Sequence, residues 1–409
     1  MHPDVIVVGC GVQGLSIARH LARRHGRVLA IDRVGPGRQT SQRAAGQSVT
    51  AQTDPAMGSL MQRSIADITE FEAMTGIPLP YHQVGSVKYA RHEWSAEQLQ
   101  REVKRAGGLG ATISMVPLEE AREIAPHTNP FAAVAAWHAP DDIYFDPADL
   151  AAALYGDAAA NGVEFRFGLE VTGLALAGSS VQGVRTTSGD IHCGQVVVAA
   201  GSWTGPLLSQ TLGVDLPLTY VRHQYSIRTG VPGVSPSLPS VRVVEDAVYA
   251  RPFGTDLMFG TYEPHPMEFV ASRLPARTEQ VPLDSTAVNC ALDNVGDIFP
   301  SARGSEVREM RGGVVTMTPD GSYLIDQVND VDGLYFLAGC NVMGLSVAPA
   351  LGRDVADWVL SGRRPPTLAG FAVSRFPSST LGDLAVKRRG IGEYEGIYRD
   401  QESRSFVRA

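Results

Sequence analysis

The chain has 409 residues, 44% of them hydrophobic, with a formal net charge of −8, enough for a large core and more than one packed unit. That negative balance supplies no positive field to replace phosphate counterions, so a nucleic-acid binder is excluded. Four cysteines, Cys10, Cys193, Cys290 and Cys340, show no CxxC or metal-ligand spacing and read as reduced core residues.

The first stretch organises the rest. Val5-Ile6-Val7-Val8 is too short for a helix but suits a buried parallel strand. Gly9-Cys10-Gly11-Val12-Gln13-Gly14 follows, then Leu15, Ala18, Leu21 and Ala22 at helical spacing, with Arg19, Arg23 and Arg24 on the other face and Gly26 as the stop. A second strand, Val28 to Ile31, ends on Asp32. In such a turn Gly9 permits the bend, Gly11 lets the backbone approach a pyrophosphate and Gly14 lets helix pack on strand. The diphosphate would sit on the helix N-terminus, and Asp32 is placed for a ribose hydroxyl. Strand, turn, helix, strand and terminal acid together predict a dinucleotide site.

Val34 to Thr53 lacks apolar periodicity and is expected to be a functional loop. Met57 to Thr75 predicts one helix stopped by Gly76, Gly85 to Ala90 a strand, and Trp94 to Gly107 an exposed amphipathic helix. Asp146 and Pro147 are cap and first residue of a helix running to Asn161. Strands are expected at Val163 to Phe167, Glu170 to Leu176, Val181 to Thr186 and Asp190 to Ala200. Alternation at His223 to Arg228, Val241 to Val244, Val248 to Pro252 and Leu257 to Tyr262 predicts antiparallel strands. Gly333 to Ala338 is a buried strand leading through a second glycine turn, Gly339 to Gly344, into a helix over Ala348 to Leu360. Arg363 to Ala409 carries little core signal, and its Lys387-Arg388-Arg389 run reads as a solvated tail rather than a binding patch.

The expected fold is α/β: a discontinuous Rossmann-like nucleotide domain (1–84, 140–216 and 318–364), an α+β substrate domain with a mainly antiparallel sheet (85–139 and 217–317) and a tail (365–409). No run approaches the roughly 18 apolar residues of a membrane span. No secretory signal precedes Val5, so a cytoplasmic location is expected.

Four segments carry a family resemblance: the N-terminal fingerprint, VVVAAGSW at Val196 to Trp203, TPDGSYLID at Thr318 to Asp326 and GLYFLAGCNVMGLSVAPALG at Gly333 to Gly352. In order and spacing they resemble the flavin-dependent amine oxidoreductases, which include D-amino-acid, glycine and sarcosine oxidases. HQYSI at His223 to Ile227 and RPFGTDLMFGTYEPHP at Arg251 to Pro266 are most similar to the sarcosine and dimethylglycine dehydrogenase branch. The resemblance implies FAD, with AMP held by Gly9, Gly11, Val12, Gln13, Gly14, Asp32 and Arg33. The loop Thr40, Ser41, Arg43, Ala44, Ala45, Gly46, Gln47 resembles the one under the isoalloxazine ring. Val171 matches a position at the adenine. Ala200, Gly201 and Trp203, and Gly339, Asn341, Val342, Met343, Gly344, Leu345 and Ser346, fall in the other flavin motifs.

The chemistry implied is hydride transfer from the carbon bearing an amine to FAD, giving an imine that water hydrolyses. Tyr249, Tyr262 and Met258 match positions lining the family's substrate cavity, and His223 lies in a motif near it. The family's usual carboxylate anchors are missing, since Val315 and Ser346 stand at those positions; Arg251, Arg222 or Arg43 are the expected replacements. Covalent members attach FAD where this chain has Arg43 or Gly313, so FAD is expected to be non-covalent. The neutral Met258, where monomeric sarcosine oxidases place a lysine, favours a quinone or electron-transfer protein over oxygen as acceptor. Arg375 to Tyr398 resembles the connector to a folate domain in longer relatives; with the sequence ending at Ala409, formaldehyde would be released freely. A 2-hydroxy-acid oxidoreductase and a non-catalytic flavin-binding subunit are the competing expectations.

Overall fold

The computed structural model describes residues 2–24 and 26–400, so residues 401–409 of the expected tail lie outside the described residues. Four apolar strands and their neighbours form a six-stranded sheet in the order Leu324–Gln327, Leu334–Ala338, Val196–Val198, Val5–Val8, Val28–Asp32, Glu164–Phe167. All pairs are parallel except the edge strand Leu324–Gln327. Both faces are covered, which is why the strands are continuously apolar. Val5, Val7, Val28 and Ala30 face the helices Val12–Ala22, Pro147–Ala160 and Ala348–Ser361. Ile6, Val8, Leu29 and Ile31 face Leu174, Val181 and Val184 of a small antiparallel sheet formed by Val171–Ala177, Ser180–Thr186 and Gly189–His192.

A larger sheet runs Glu268–Phe269, Thr219–Thr229, Asp256–Thr261, Val248–Phe253, Ser240–Val243, Ser86–Ala90, Ala135–Ala139, Ser114–Val116, with Glu306–Met317 also on Thr219–Thr229. It is antiparallel as expected except where Ser240–Val243 pairs in parallel with Ser86–Ala90. Strand alternation splits it into two chemistries. Val87, Tyr89, Val241, Val243, Val248 and Ala250 pack with Val288 and Leu292 of the helix Ser285–Asn294. The intervening Lys88, Arg242 and Tyr249 point the other way, into a cavity.

Several local expectations are corrected. The first helix ends at Ala22 rather than at Gly26, and Arg19 is buried rather than on a solvated face, because the Pro147–Ala160 helix covers it and brings Asp157 to its Nε at 2.6 Å. Met57 to Thr75 is two helices, Pro55–Thr69 and Phe71–Thr75, broken at Glu70. Asp190 to Ala200 divides into Gly189–His192 and Val196–Val198. Cys290 is exposed and Cys340 half-buried, so only Cys10 and Cys193 are core thiols. The segment after Arg363 is packed: Leu368 and Phe371 join the main core, and Tyr394, on the helix Leu384–Glu395, is fully buried. Its apolar residues are too sparse to make a periodic pattern, yet Leu368, Phe371 and Tyr394 each meet a preformed surface, while Leu384 stays exposed. Among the described residues no helix is long and apolar enough to cross a membrane.

Asp157 holds both Arg19 and, at 2.8 Å, Arg23, while Arg19 also lies 4.6 Å over the Phe71 ring. Removing one partner of a buried pair leaves an uncompensated charge and costs about 3–5 kcal/mol. Asp157→Ala should therefore lower unfolding free energy by about that amount in a urea titration. A loss below 1 kcal/mol, the range of an exposed pair, would contradict the burial argument.

Candidate active site

A cavity of about 780 Å³ lies between the two large sheets and runs from the first glycine turn to the His223 region. At its nucleotide end Gly9 takes φ 104°, and a Cβ there would come within 2.5 Å of the Ala199 carbonyl oxygen. A Cβ on Gly14 would lie 1.9 Å from the Gly9 oxygen, so helix and strand touch there through bare backbone. Ser41 Oγ accepts from the Val12 amide at 3.1 Å at the helix N-terminus. Asp32 is fixed by the Cys10, Val34 and Gly35 amides at 2.7 to 3.0 Å. Arg33 lies 4.1 Å over the Trp203 ring with Glu170 at 3.6 Å, and its buried Nη2 has no hydrogen-bond partner. An acid at the strand end, a helix N-terminus and an orphaned guanidinium nitrogen fit the ribose and diphosphate of a dinucleotide.

Of the residues expected at the cofactor, all line this cavity except Gly14, Gly46, Gly339 and Asn341. Those four act on its wall. Gly46, at φ 67°, leaves room for the Phe145 carbonyl, which a Cβ would approach to 2.1 Å. Asn341 accepts from the Thr318 amide at 2.9 Å through Oδ1 and donates to the Gly339 carbonyl at 2.6 Å. This clamp holds Asn341 at φ 45° and Val342 at φ 60°. A β-branched residue in that region is strained, and such strain clusters at ligand sites. The TPDG segment contributes twice more: Tyr323 accepts from Gln13 Nε2 at 2.8 Å, and Asp320 binds Arg375 at 2.6 Å.

At the other end stand His223, Tyr249 and Tyr262. A Cβ on Gly260 would meet the Tyr249 ring at 2.3 Å, so the glycine lets that ring lie flat across the neighbouring strand. His223 Nε2 meets the Tyr249 hydroxyl at 2.9 Å and Nδ1 the Tyr394 hydroxyl at 2.9 Å. Its ring stacks on Tyr262 at 4.7 Å between centroids. Desolvation pushes His223 down to about 4, and the same burial raises the Tyr249, Tyr262 and Tyr394 phenols. The cluster is neutral near pH 7.

Met258 and Arg251 do not line the cavity. They are on the expected face, paired with each other across adjacent strands, but two residues beyond Gly260 and Tyr249, where the loop Ala44–Gly46 roofs them. Arg251 buttresses that loop: Nε donates to the Ala45 carbonyl at 2.6 Å and Nη1 to Pro252 at 2.7 Å, and burial pushes its pKa down to about 10. Arg222 is likewise outside, bound to Glu263 at 2.7 Å, and Arg43 lines the cavity paired to Glu279 at 3.3 Å. The sequence reading missed Arg242, Lys88, Glu102 and Tyr398, which line the cavity, and Tyr394 behind it. A lone cation inside an apolar run, as in SVKYA and SVRVV, was the available signal for the first two. Lys88 binds Glu102 at 2.8 Å, and Glu102 also accepts from Trp137 Nε1 at 2.9 Å.

A family model described as FAD dependent oxidoreductase matches residues 4–358. The chain is 26% identical over 412 residues to a 4-methylaminobutanoate oxidase (formaldehyde-forming) of Paenarthrobacter nicotinovorans, covering 97% of this chain and 49% of that one. It is 25% identical over 409 residues to the mitochondrial pyruvate dehydrogenase phosphatase regulatory subunit of Mus musculus, covering 99% and 44%. The chain thus spans about half the length of these curated relatives. The crystal structure of glycine oxidase from Geobacillus kaustophilus superposes with a TM-score of 0.80 at 26% identity, over 92% of this chain and 99% of that one. With a dinucleotide cradle at the first glycine turn and a family model spanning residues 4–358, the chain belongs to the FAD dependent oxidoreductases.

Proposed function

We propose that the chain oxidises the C–N bond of an amine, secondary or N-methylated, to an imine that water then hydrolyses. The observation that supports this reading is the neutral His223–tyrosine cluster at the far end of the cavity from the dinucleotide cradle. Bound FAD supplies the two-electron acceptor. The protein's share is binding, orientation and desolvation. An ammonium entering this buried cluster loses hydration without gaining a carboxylate, so the free amine is the form retained. Tyr249 and His223 offer hydrogen-bonding groups whose own partners fix their direction, which limits the substrate to a narrow set of poses. A 2-hydroxy acid would need a base for its hydroxyl, and an imidazole pushed down to about 4 serves poorly at pH 7.

The relative named 4-methylaminobutanoate oxidase supports a methylamine substrate. The relative named as a regulatory subunit supports the second reading, a flavoprotein without turnover. Anaerobic mixing with N-methylated amino acids separates them. Loss of the yellow flavin band is expected with at least one of them, whereas an unchanged spectrum across secondary and tertiary amines would establish the non-catalytic reading. Because Arg43 and Gly313 stand at the family's attachment positions and neither forms such a bond, acid precipitation should release all the colour into the supernatant. Yellow protein in the pellet would refute non-covalent binding.

The pH dependence has a definite sign. The folded-state pKa of His223 is depressed from 6.5 to about 4, so protonation opposes the fold. Its contribution is intact above about pH 6.5 and is lost as pH falls towards 4. Above pH 6 the group does not titrate, and the rate of flavin reduction should rise with a single ionisation that follows the pKa of each amine tested. A fixed midpoint near 6.5 for amines of different basicity would assign the ionisation to the enzyme instead.

For the acceptor, we propose a quinone or an electron-transfer protein. A positive charge beside the flavin promotes superoxide formation; the His223 ring meets the phenols of Tyr249, Tyr394 and Tyr262, and of the cations that line the cavity Lys88 and Arg43 are paired with Glu102 and Glu279. Stopped-flow reoxidation should be faster with a soluble quinone than with air-saturated buffer; the reverse order would make the chain an oxidase.

A further inference from the structure

The side of the cavity away from the dinucleotide cradle is walled by a short segment that follows the last described helix. Leu384–Glu395 carries Tyr394, whose hydroxyl meets His223, and residues 396–400 then turn back, with the Arg399 amide donating to the Gly396 carbonyl at 2.9 Å. Ile397, Tyr398, Arg399 and Asp400 all line the cavity. The helix Glu93–Gly108 receives them on one face, since Trp94, Gln98 and Arg101 recur at helical spacing. Gln98 Nε2 donates to the Tyr398 carbonyl, Arg399 lies 5.9 Å over the Trp94 ring, and Arg101 holds the two Asp400 oxygens at 2.8 and 3.3 Å. The Tyr398 ring meets Tyr262 edge-on at 5.3 Å, and its hydroxyl accepts from Arg242 and Tyr262. Tyr262 stacks on His223, so the segment completes the aromatic cluster only while it lies across the cavity.

Outside the segment is a surface groove of about 580 Å³ lined by Thr53, Arg101, Lys104, Arg105, Gly108 and Leu109. Thr53 lines the cavity as well; Asp400 lines the cavity and its partner Arg101 the groove. The Arg101–Asp400 pair therefore stands between the two spaces. With FAD in the cradle at the other end, a small reactant has to arrive from this side. The pair is suited to yielding: the Arg101 side chain is 27% exposed, and an ion pair that water reaches contributes little to stability. Segments held by such contacts open locally while the rest of the fold stays closed, and catalytic lids are drawn from them. Tyr394, four residues before Tyr398, is fully buried and gives the moving part a fixed base.

We propose that residues 396–400 form a gate over the substrate end of the cavity, latched by Arg101 and Asp400, and that its opening admits reactants from the groove of Arg101, Lys104 and Arg105. The gate rests on the proposed oxidation only for the identity of what passes through it.

The test uses the FAD-loaded protein, photoreduced, and follows the return of the flavin band on mixing with duroquinone, a small neutral acceptor. Unlatching should speed reoxidation by about threefold in both Arg101→Gln and Asp400→Asn, the scale of a partly exposed ion pair. The two substitutions change the local charge in opposite directions, so acceleration in both assigns the effect to the broken pair rather than to charge. Backbone hydrogen exchange should rise by a similar factor in residues 397–400 of both variants and stay unchanged in Leu384–Glu395. Unchanged reoxidation in both variants, or changes of opposite sign, would overturn the gate. Faster exchange spreading through Leu384–Glu395 would overturn it too, by making the pair a structural tie. If both variants behave as expected and no amine bleaches the flavin, the gate stands and the proposed oxidation fails.

Discussion

The cavity exists because one loop is fastened across the gap between two sheets. The segment Ala44–Gly46 leaves the nucleotide side, and its carbonyls are received by the other sheet: Tyr225 donates to Ala44 at 3.1 Å and Arg251 to Ala45 at 2.6 Å. Arg251 cannot be omitted cheaply, since it is buried, forms no salt bridge among the described residues, and is held by three backbone oxygens and by the Tyr144 ring 4.9 Å away. Peptide carbonyls are fixed dipoles, so the guanidinium reports the loop's position as much as it sets it. Once the loop is fastened, Met258 is roofed over and Tyr249 and His223 become the end of the cavity.

The second constraint is strand alternation. The Val-rich face of the large sheet needs Val87, Val241 and Val248 pointing at the Ser285–Asn294 helix, and this alone forces Lys88, Arg242 and Tyr249 to the opposite side. Packing and chemistry are thus written in the same strands at alternate positions. The ionic pair Lys88–Glu102 and the neutral cluster around His223 share this face but occupy different stretches of it, so charged and uncharged parts of a ligand meet different walls.

The first βαβ unit was legible because each of its signals is local: a four-residue apolar strand, three glycines at fixed spacing and an acid at the next strand's end. The parallel sheet and the antiparallel sheet were legible from apolar runs and from alternation. What remained hidden depends on contacts distant in sequence. Arg251 sits in a motif that resembles a cavity segment, and only the approach of a loop some 206 residues away shows it to be a structural donor. Arg242 reads as an ordinary strand cation until its register with Tyr249 is known. Tyr394 is 171 residues from the histidine it contacts, on a helix with weak amphipathic pattern.

The left-handed pair Asn341–Val342 has a consequence for how ligands are received. A valine at φ 60° keeps that shape only because Asn341 is clamped to Thr318 and Gly339. The energy of that contortion is met when the chain folds, through hydrogen bonds that lie in the wall, away from any bound molecule. A turn wound in advance has no conformational freedom left to surrender when a cofactor arrives, so the empty and loaded forms of this segment should be nearly the same object. The Val342 turn behaves as a mould rather than as a clasp, and selectivity at that wall comes from shape set before the encounter.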